Sequence, residues 1–306
     1  MTFADGRIDR AAHRRTTPGL LNQLLDDPRT RVIDLAGEGF VIDGAGGLAV
    51  RAPRPEDHAA ELAVFLGETT GAVREAYVLV VASGSADRVP AVGLRDLVAS
   101  LDSDRAALVA TALGLANWHR THPRCSRCGE PTRPDLAGWI RRCPHDESEH
   151  YPRTDIAVIM AVTDTADRLL LGRAPSWPEG RMSILAGFVE PGETLEQAVA
   201  REVFEEVGIT VGSVDYVADQ PWPFPSSLMI GFTARAEQTE LILDGAELAE
   251  ARWVAREEIA DLIASGAYRP SPSFSISRSL VEDWYGGPLP TRRRAPGPPG
   301  LTGSSR

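Results

Sequence analysis

Cysteine is scarce in this chain. Three in 306 residues are too few, and odd in number, for a disulfide framework. Long apolar runs are missing as well: the longest, Ala76–Ala82 and Ile156–Val162, fall far short of the ~20 residues needed to span a bilayer. Positive charge is in deficit, with 32 Lys and Arg against 43 Asp and Glu, a formal net charge of −11 and a pI near 5.1. That balance disfavours a protein that grips phosphate backbones by bulk electrostatics. Acidic side chains gathered in one site would instead hold cations, and cations bring in anionic substrates. With 28 Gly and 23 Pro, about 17% of the chain, it stays below the ~25–30% that marks low complexity. The opening Met1–Arg15 carries charges throughout and no apolar h-region, which predicts no secretory signal; with the cysteine usage it predicts a reducing cytoplasm.

What is present is an ordinary globular composition, 43% apolar and 25% charged, long enough for roughly two domains of ~150 residues. Residues 1–30 are polar and Arg-rich and are expected to pack poorly. Val32–Leu35, Phe40–Ile42 and Leu48–Arg51 read as short strands separated by Gly-rich turns, followed by strands at Glu61–Leu66 and Tyr77–Ala82 and one helix over Leu94–His119. Pro123–Pro152 holds all three cysteines and little apolar periodicity, as a small metal-stapled insert would. A second domain opens with the strand Ile156–Val162 and continues with Arg168–Gly172. A helix at Thr194–Val207, strands at Ser213–Ala218, Ser227–Ala234 and Glu250–Val254, and helices at Arg256–Ser265 and Ser275–Trp284 complete it. Pro288–Arg306 is rich in Pro, Gly, Ser and Arg and reads as a disordered tail. The expected division is an N-terminal α+β domain at 1–121, a ribbon at 122–152, a catalytic domain at 153–287 and the tail at 288–306.

One segment dominates the chemistry: Gly187-Phe-Val-Glu190-Pro-Gly192-Glu193, then seven residues, then Arg201-Glu202-Val203-Phe204-Glu205-Glu206-Val207-Gly208-Ile209. Pro191-Gly192 make a turn, Glu193-Thr194 stand at a helix start, where acids complement the dipole, and Gly208 ends the helix. Glu202 and Glu206 are one turn apart on one face, with Glu205 beside them. Like charges at that spacing cost roughly 0.2–0.5 kcal/mol per pair, so the cluster is either simply solvated or compensated by a cation. Carboxylate-only ligands suit hard Mg²⁺ or Mn²⁺.

The pattern G-x5-E-x7-R-E-(apolar)-x-E-E-x-G-(apolar) resembles the box of the Nudix hydrolases at every specified position, a match expected by chance on the order of 1 in 10⁸ per start point. The resemblance implies a Nudix α/β/α sandwich with a mixed sheet, an α+β chain overall, and hydrolysis of a nucleoside diphosphate linked to a further group. It implies that Glu202 and Glu206 are metal ligands, that Glu205 is a third ligand or a nearby acid, and that Arg201 orients a carboxylate. It also implies that the carbonyl of Ala186 completes the coordination. Divalent cations at such a site neutralise the bridging phosphates while a carboxylate deprotonates water. The general base varies in the superfamily, with Glu206 favoured.

Downstream, Gln220-Pro221-Trp222-Pro223-Phe224-Pro225-Ser226-Ser227 alternates prolines with aromatics. The prolines preset φ and hold both rings at low entropic cost, which suits stacking on a flat heterocycle or packing into the core. The run resembles the QPWPFPxS motif of the NADH pyrophosphatase and NAD-capped RNA hydrolase branch, although Asp219 stands before it where that branch often has Ser. The branch also carries an N-terminal domain and a zinc ribbon ahead of the Nudix domain, the order met here. By the same resemblance Arg95, Tyr151, Phe188 and Ser277 are substrate contacts, Ser277 standing where Ala is usual, and Glu247 is a distal metal ligand. The branch is homodimeric, so a homodimer is implied.

Cys125-x-x-Cys128 and Cys143-x-x-Asp146 read as a four-ligand ribbon whose last cysteine is replaced. The expectation is one structural Zn²⁺ on Cys125, Cys128, Cys143 and Asp146, with His150 as a second candidate for the fourth position; a ribbon held without metal is the alternative. The reaction implied is metal-dependent cleavage of NADH or NAD⁺ to AMP and nicotinamide mononucleotide, and removal of NAD caps from RNA to leave 5′-monophosphates. The tail arginines Arg292–Arg294 would help locally in holding RNA. The competing readings are a Nudix enzyme for ADP-ribose or dinucleoside polyphosphates, and a non-catalytic nucleotide sensor with a nucleic-acid-binding ribbon.

Overall fold

The computed structural model describes residues 3, 6–71, 73–81, 90–243 and 245–291. Most of the expected tail, with Arg292–Arg294, lies outside them, as do Ala82 and Asp244. The chain divides into two compact units, Met1–Ile156 with Asp219–Met229, and Ala157–Ala218 with Ile230–Arg306.

In the first unit, β1 (Arg31–Ala36), β2 (Gly39–Val41), β3 (Val50–Arg51), β4 (Leu62–Glu68), β5 (Ala76–Val81) and β6 (Ala91–Val92) form a six-stranded sheet. Its main path is β4-β5-β1-β2-β6, with β3 on β1 and the β1–β5 pair parallel. Val32, Ile33, Val64, Phe65, Val78 and Leu79 supply the buried side chains, each contributing about 1.5–3 kcal/mol of transfer free energy. The segment before β1 packs well, contrary to expectation. It forms α1 (Leu20–Asp26), and Ala11, Leu20, Leu24 and Leu25 join Val32, Phe65, Val78 and Val80 in one cluster. A few well-spaced apolar residues suffice for this, whatever the mean polarity of the segment.

The expected single helix over 94–119 is broken. A short α2 (Leu94–Leu97) gives way at Leu101 to extended backbone, and α3 (Ser103–Thr121) restarts where the Asp102 carboxylate accepts from the Arg105 amide. Competition from an N-cap overrides the apolar periodicity there. A three-stranded ribbon follows, with β7 (Arg133–Asp135), β8 (Ile140–Arg142) and β9 (Glu149–His150) paired antiparallel.

A second six-stranded sheet consists of β10 (Asp155–Thr163), β11 (Leu169–Arg173), β12 (Leu185–Phe188), β13 (Val211–Trp222), β14 (Ser227–Ala236) and β15 (Glu250–Val254). Their order is β13-β14-β10-β11-β15, with β12 on β10. α4 (Leu195–Val207) lies between β12 and β13, while α5 (Ile259–Ser265) and α6 (Ile276–Tyr285) close the chain. The segment expected as a helix from Arg256 begins as a 3-10 turn at Arg256–Glu258. β13 is twice the expected length and carries Gln220, Pro221 and Trp222 as strand residues, so that only 223–226 form the turn into β14. Pro221 and Pro223 suggest a loop, but proline is tolerated at strand ends where no ladder donor is required.

Candidate functional site

α4 explains the first cluster. The Thr194 hydroxyl accepts from the Gln197 amide, and the Gln197 side chain accepts from the Thr194 amide, closing a capping box; Gly208 ends the helix at φ 69°. The helix buries Val199, Val203 and Val207 on the core side, and the adjoining positions Glu202 and Glu206 go in with them at 8% and 5% exposure. These are not solvated carboxylates. A buried carboxylate carries a desolvation penalty of several kcal/mol unless a cation answers it.

Carboxylate oxygens of Glu202, Glu206 and Glu247 converge to within 4.8 Å of one another, Glu247 arriving from the segment before β15. β12 runs against this cluster. A Cβ added to Gly187 would stand 1.8–2.2 Å from the Glu202 carboxylate atoms, so only glycine lets that carboxylate lie on the strand. Ala186, with its carbonyl, is the preceding residue of β12.

Arg201 organises the edge. Its guanidinium grips Glu193 through Nε at 2.6 Å and Nη2 at 3.0 Å, while Nη1 reaches Glu202 at 3.0 Å and Glu205 at 2.9 Å, and Nη2 also donates to the Phe188 carbonyl at 2.8 Å. The bidentate bond holds the Glu193 carboxyl down at about 2. Burial pushes the Glu202 carboxyl upward against the pull of Arg201. Glu205 is exposed, pairs with Arg201 and lies outside the convergent trio. An all-oxygen donor set of this charge fits a hard divalent cation.

In the first unit the proline-aromatic run is fixed from two sides. Trp222 and Phe224 meet edge to face at 5.0 Å, and the Arg95 guanidinium lies 4.1 Å from the Phe224 ring centre and 5.4 Å from that of Trp222. Gln220 is fully buried, and the Ser226 hydroxyl donates to Asp155. Asn117 on α3 donates to the carbonyls of Pro223 and Pro225; nothing in the sequence marked it, since a helical Asn has no motif. Tyr151 is exposed and donates to Glu149, and Phe188 is exposed at the end of β12. Ser277 is buried against the hydroxyls of Ser183 and Ser271, two partners that sequence did not single out.

The ribbon brings Cys125, Cys128, Cys143 and Asp146 into one cluster. Cys128 and Cys143 sulfurs are 3.6 Å apart, and Asp146 oxygens stand 3.7 and 3.8 Å from Cys125 Sγ. His150 instead faces the hydroxyls of Ser148 and Ser126. The Ser148 hydroxyl holds the Cys125 thiol down to about 6, whereas burial pushes Cys143 up to about 11. A cation would be needed to make both thiolates together, and the donor set fits Zn²⁺.

The NUDIX domain family matches residues 153–274, the NADH pyrophosphatase zinc ribbon domain residues 120–151, and the NADH pyrophosphatase-like rudimentary NUDIX domain residues 30–118. The NAD-capped RNA hydrolase NudC of Mycobacterium bovis is 41% identical over 290 residues, covering 91% of this chain and 90% of its own. The human NAD-capped RNA hydrolase NUDT12 is 42% identical over 196 residues, which are 60% of this chain and 42% of that protein. A NUDIX hydrolase structure from Nitrosomonas europaea aligns with a TM-score of 0.43 at 25% identity, over 54% of this chain and 94% of that one. The chain therefore belongs to the Nudix hydrolase superfamily, in its NADH pyrophosphatase and NAD-capped RNA hydrolase branch.

Proposed function

We propose that this protein hydrolyses the pyrophosphate of NADH or NAD⁺ to AMP and nicotinamide mononucleotide, and by the same cleavage removes NAD caps from RNA to leave a 5′-monophosphate. The observation that carries the reading is the convergence of the buried Glu202 and Glu206 with Glu247, in a chain that also holds the rigid Trp222–Phe224 pair. The names of the mycobacterial and human relatives support it.

Glu202, Glu206 and Glu247, with the Ala186 carbonyl, would hold Mg²⁺ or Mn²⁺, which supplies charge neutralisation at the bridging phosphates. Water attacks one phosphorus, the bond from that phosphorus to the bridging oxygen breaks, and Glu206 takes the proton the water loses. Arg201 and Glu193 keep Glu202 in place, and Glu205 completes the charge balance around Arg201. Trp222 and Phe224, braced by Arg95, form a rigid aromatic pair suited to a flat heterocycle, with Gln220, Pro221, Pro223, Pro225, Ser226 and Ser227 shaping the rim; Tyr151 reaches the nicotinamide side, Phe188 stacks from the other face and Ser277 contributes a further contact. Zn²⁺ on Cys125, Cys128, Cys143 and Asp146 is structural. The working form is a cytoplasmic homodimer.

The test is steady-state hydrolysis of NADH and ADP-ribose at equal concentration with Mg²⁺ or Mn²⁺. AMP and reduced nicotinamide mononucleotide from NADH, well above ADP-ribose turnover, supports the reading. Preference for ADP-ribose would leave only the superfamily assignment standing.

A further inference from the structure

The ribbon closes on a mixed donor set. Cys125, Cys128 and Cys143 present one sulfur each, and the Asp146 carboxylate stands where the Cys-x-x-Cys spacing would put a fourth. The Cys128 and Cys143 sulfurs are 3.6 Å apart, and the Asp146 oxygens lie 3.7 and 3.8 Å from Cys125 Sγ. Bonds of about 2.0–2.3 Å in a tetrahedron separate neighbouring donors by roughly 3.5–3.8 Å, so both pairs already have the spacing of an edge around Zn²⁺. A cysteine sulfur has one position to offer. An exposed carboxylate has two oxygens and rotates freely in water, so Asp146 can serve only if something stops that rotation.

Ser148 stops it. Oδ1 of Asp146 accepts from the Ser148 hydroxyl at 2.6 Å and from the Ser148 amide at 3.1 Å, which leaves Oδ2 as the oxygen with no N–H or O–H donor. Ser148 is itself buried and reaches two further candidate ligands. Its hydroxyl lies 3.4 Å from Cys125 Sγ, and its carbonyl accepts from the Cys143 amide at 2.9 Å. One residue thus touches three of the four. The proton count fixes the place of His150. The Ser148 hydroxyl has a single proton, and the short bond gives it to the acceptor-only carboxylate, so His150 Nε2, 3.1 Å from the same oxygen, must donate. Nδ1 turns to the Ser126 hydroxyl at 3.5 Å, and His150 stands behind the ligands rather than among them.

We propose that Ser148 is the positioning residue that makes Asp146 a zinc ligand. By holding Oδ1 it presents Oδ2 towards the cysteines, so that Zn²⁺ affinity depends on the Ser148 hydroxyl only while the fourth ligand is a carboxylate. The inference rests on the reading of the ribbon as a zinc site, and the test separates the two.

The readout is the Zn²⁺ affinity of the full-length protein, measured by competition with a chromophoric chelator. Wild type, Ser148→Ala, Asp146→Cys, the double variant and His150→Ala are compared. Ser148→Ala weakens zinc binding about 10–100-fold. Asp146→Cys binds at least as tightly as wild type, since a thiolate needs no orienting. In that background Ser148→Ala costs less than about threefold, which is what its contact with Cys125 contributes, and the retained binding shows that the ribbon folds without the hydroxyl. His150→Ala, which removes only a donor to Ser148, costs about threefold. The proposal is overturned if Ser148→Ala keeps the wild-type affinity, or if it costs the same in both backgrounds, as a purely structural role would give. It is overturned equally if His150→Ala costs more than Ser148→Ala, which would make His150 the ligand. A wild-type protein that takes up no zinc would instead sink the zinc reading, and the role of Ser148 with it.

Discussion

In the box, Glu202 and Glu206 come together because one helical turn separates them, and a third carboxylate, Glu247, joins from a distant segment. In the ribbon, Cys125, Cys128, Cys143 and Asp146 come from two short turns joined by a small antiparallel sheet. The box has a permanent cation at its edge, since Arg201 binds Glu193, Glu202 and Glu205 and can hold the carboxylates in place before any metal arrives. Among the described residues no basic side chain pairs with the ribbon cluster; its polar support is the Ser148 hydroxyl, which donates to Asp146 at 2.6 Å and lies 3.4 Å from Cys125. A preorganised oxygen site suits a cation that exchanges with substrate. A thiolate site in which burial keeps Cys143 protonated until metal binds suits one that stays.

Substitutions at each cluster can break or sharpen that contrast. Among positions that support the carboxylates without being carboxylates themselves, the largest effect belongs to Gly187→Ala. The added methyl must displace the Glu202 carboxylate, and a shift of about 1 Å there costs on the order of a hundredfold in kcat with the fold retained by circular dichroism. Removing the ribbon metal, by Cys143→Ser or by a chelator, acts on stability instead. A site a thousandfold above its Kd contributes about 4 kcal/mol, so Tm drops by roughly 10 °C in differential scanning fluorimetry.

A buried histidine joins the ribbon to α3 and gives the next effect. His119 Nε2 donates to the Gly138 carbonyl, and Nδ1 accepts from Arg141 at 2.9 Å, while Arg141 also binds Thr132. Burial holds the imidazole neutral, with its pKa lowered to about 4, and the neighbouring Arg141 charge acts in the same direction. The native state therefore binds fewer protons than the unfolded chain, and stability present above pH 6.5 is lost as pH falls towards 4. The loss amounts to about 3 kcal/mol, read from urea titrations at each pH, and His119→Gln flattens that slope. The smallest effect is at Glu205→Gln. An exposed ion pair is worth about 0.2–1 kcal/mol, so Tm moves by no more than a few degrees and kcat falls by less than about tenfold, unlike its buried neighbours on the same helix.

The box was legible because helical spacing alone sets Glu202 against Glu206, and because Gly187, Arg201 and Gly208 each have one local job that the structure displays. The ribbon's Cys spacing was legible for the same reason. What stayed hidden depends on contacts between segments far apart in sequence. Nothing local distinguishes Asn117 from any polar helical residue, and Ser148 gains its role only when the ribbon closes. The early segment was misjudged because Leu20, Leu24 and Leu25 are few among many charges, yet they are spaced to fill one face of α1. The break before α3 followed from Asp102, whose capping strength competes with a continuous apolar stripe.

The most direct test of the account is AMP release from NADH across a Mn²⁺ titration, for wild type and Glu206→Gln, with zinc content measured on both. Wild-type activity should rise with Mn²⁺ to saturation, while Glu206→Gln falls by about 10²–10⁴ and keeps the same zinc per chain and the same Tm within a few degrees. Undiminished turnover in Glu206→Gln, or activity independent of the added cation, would contradict the assignment of the buried glutamates as the centre of the reaction.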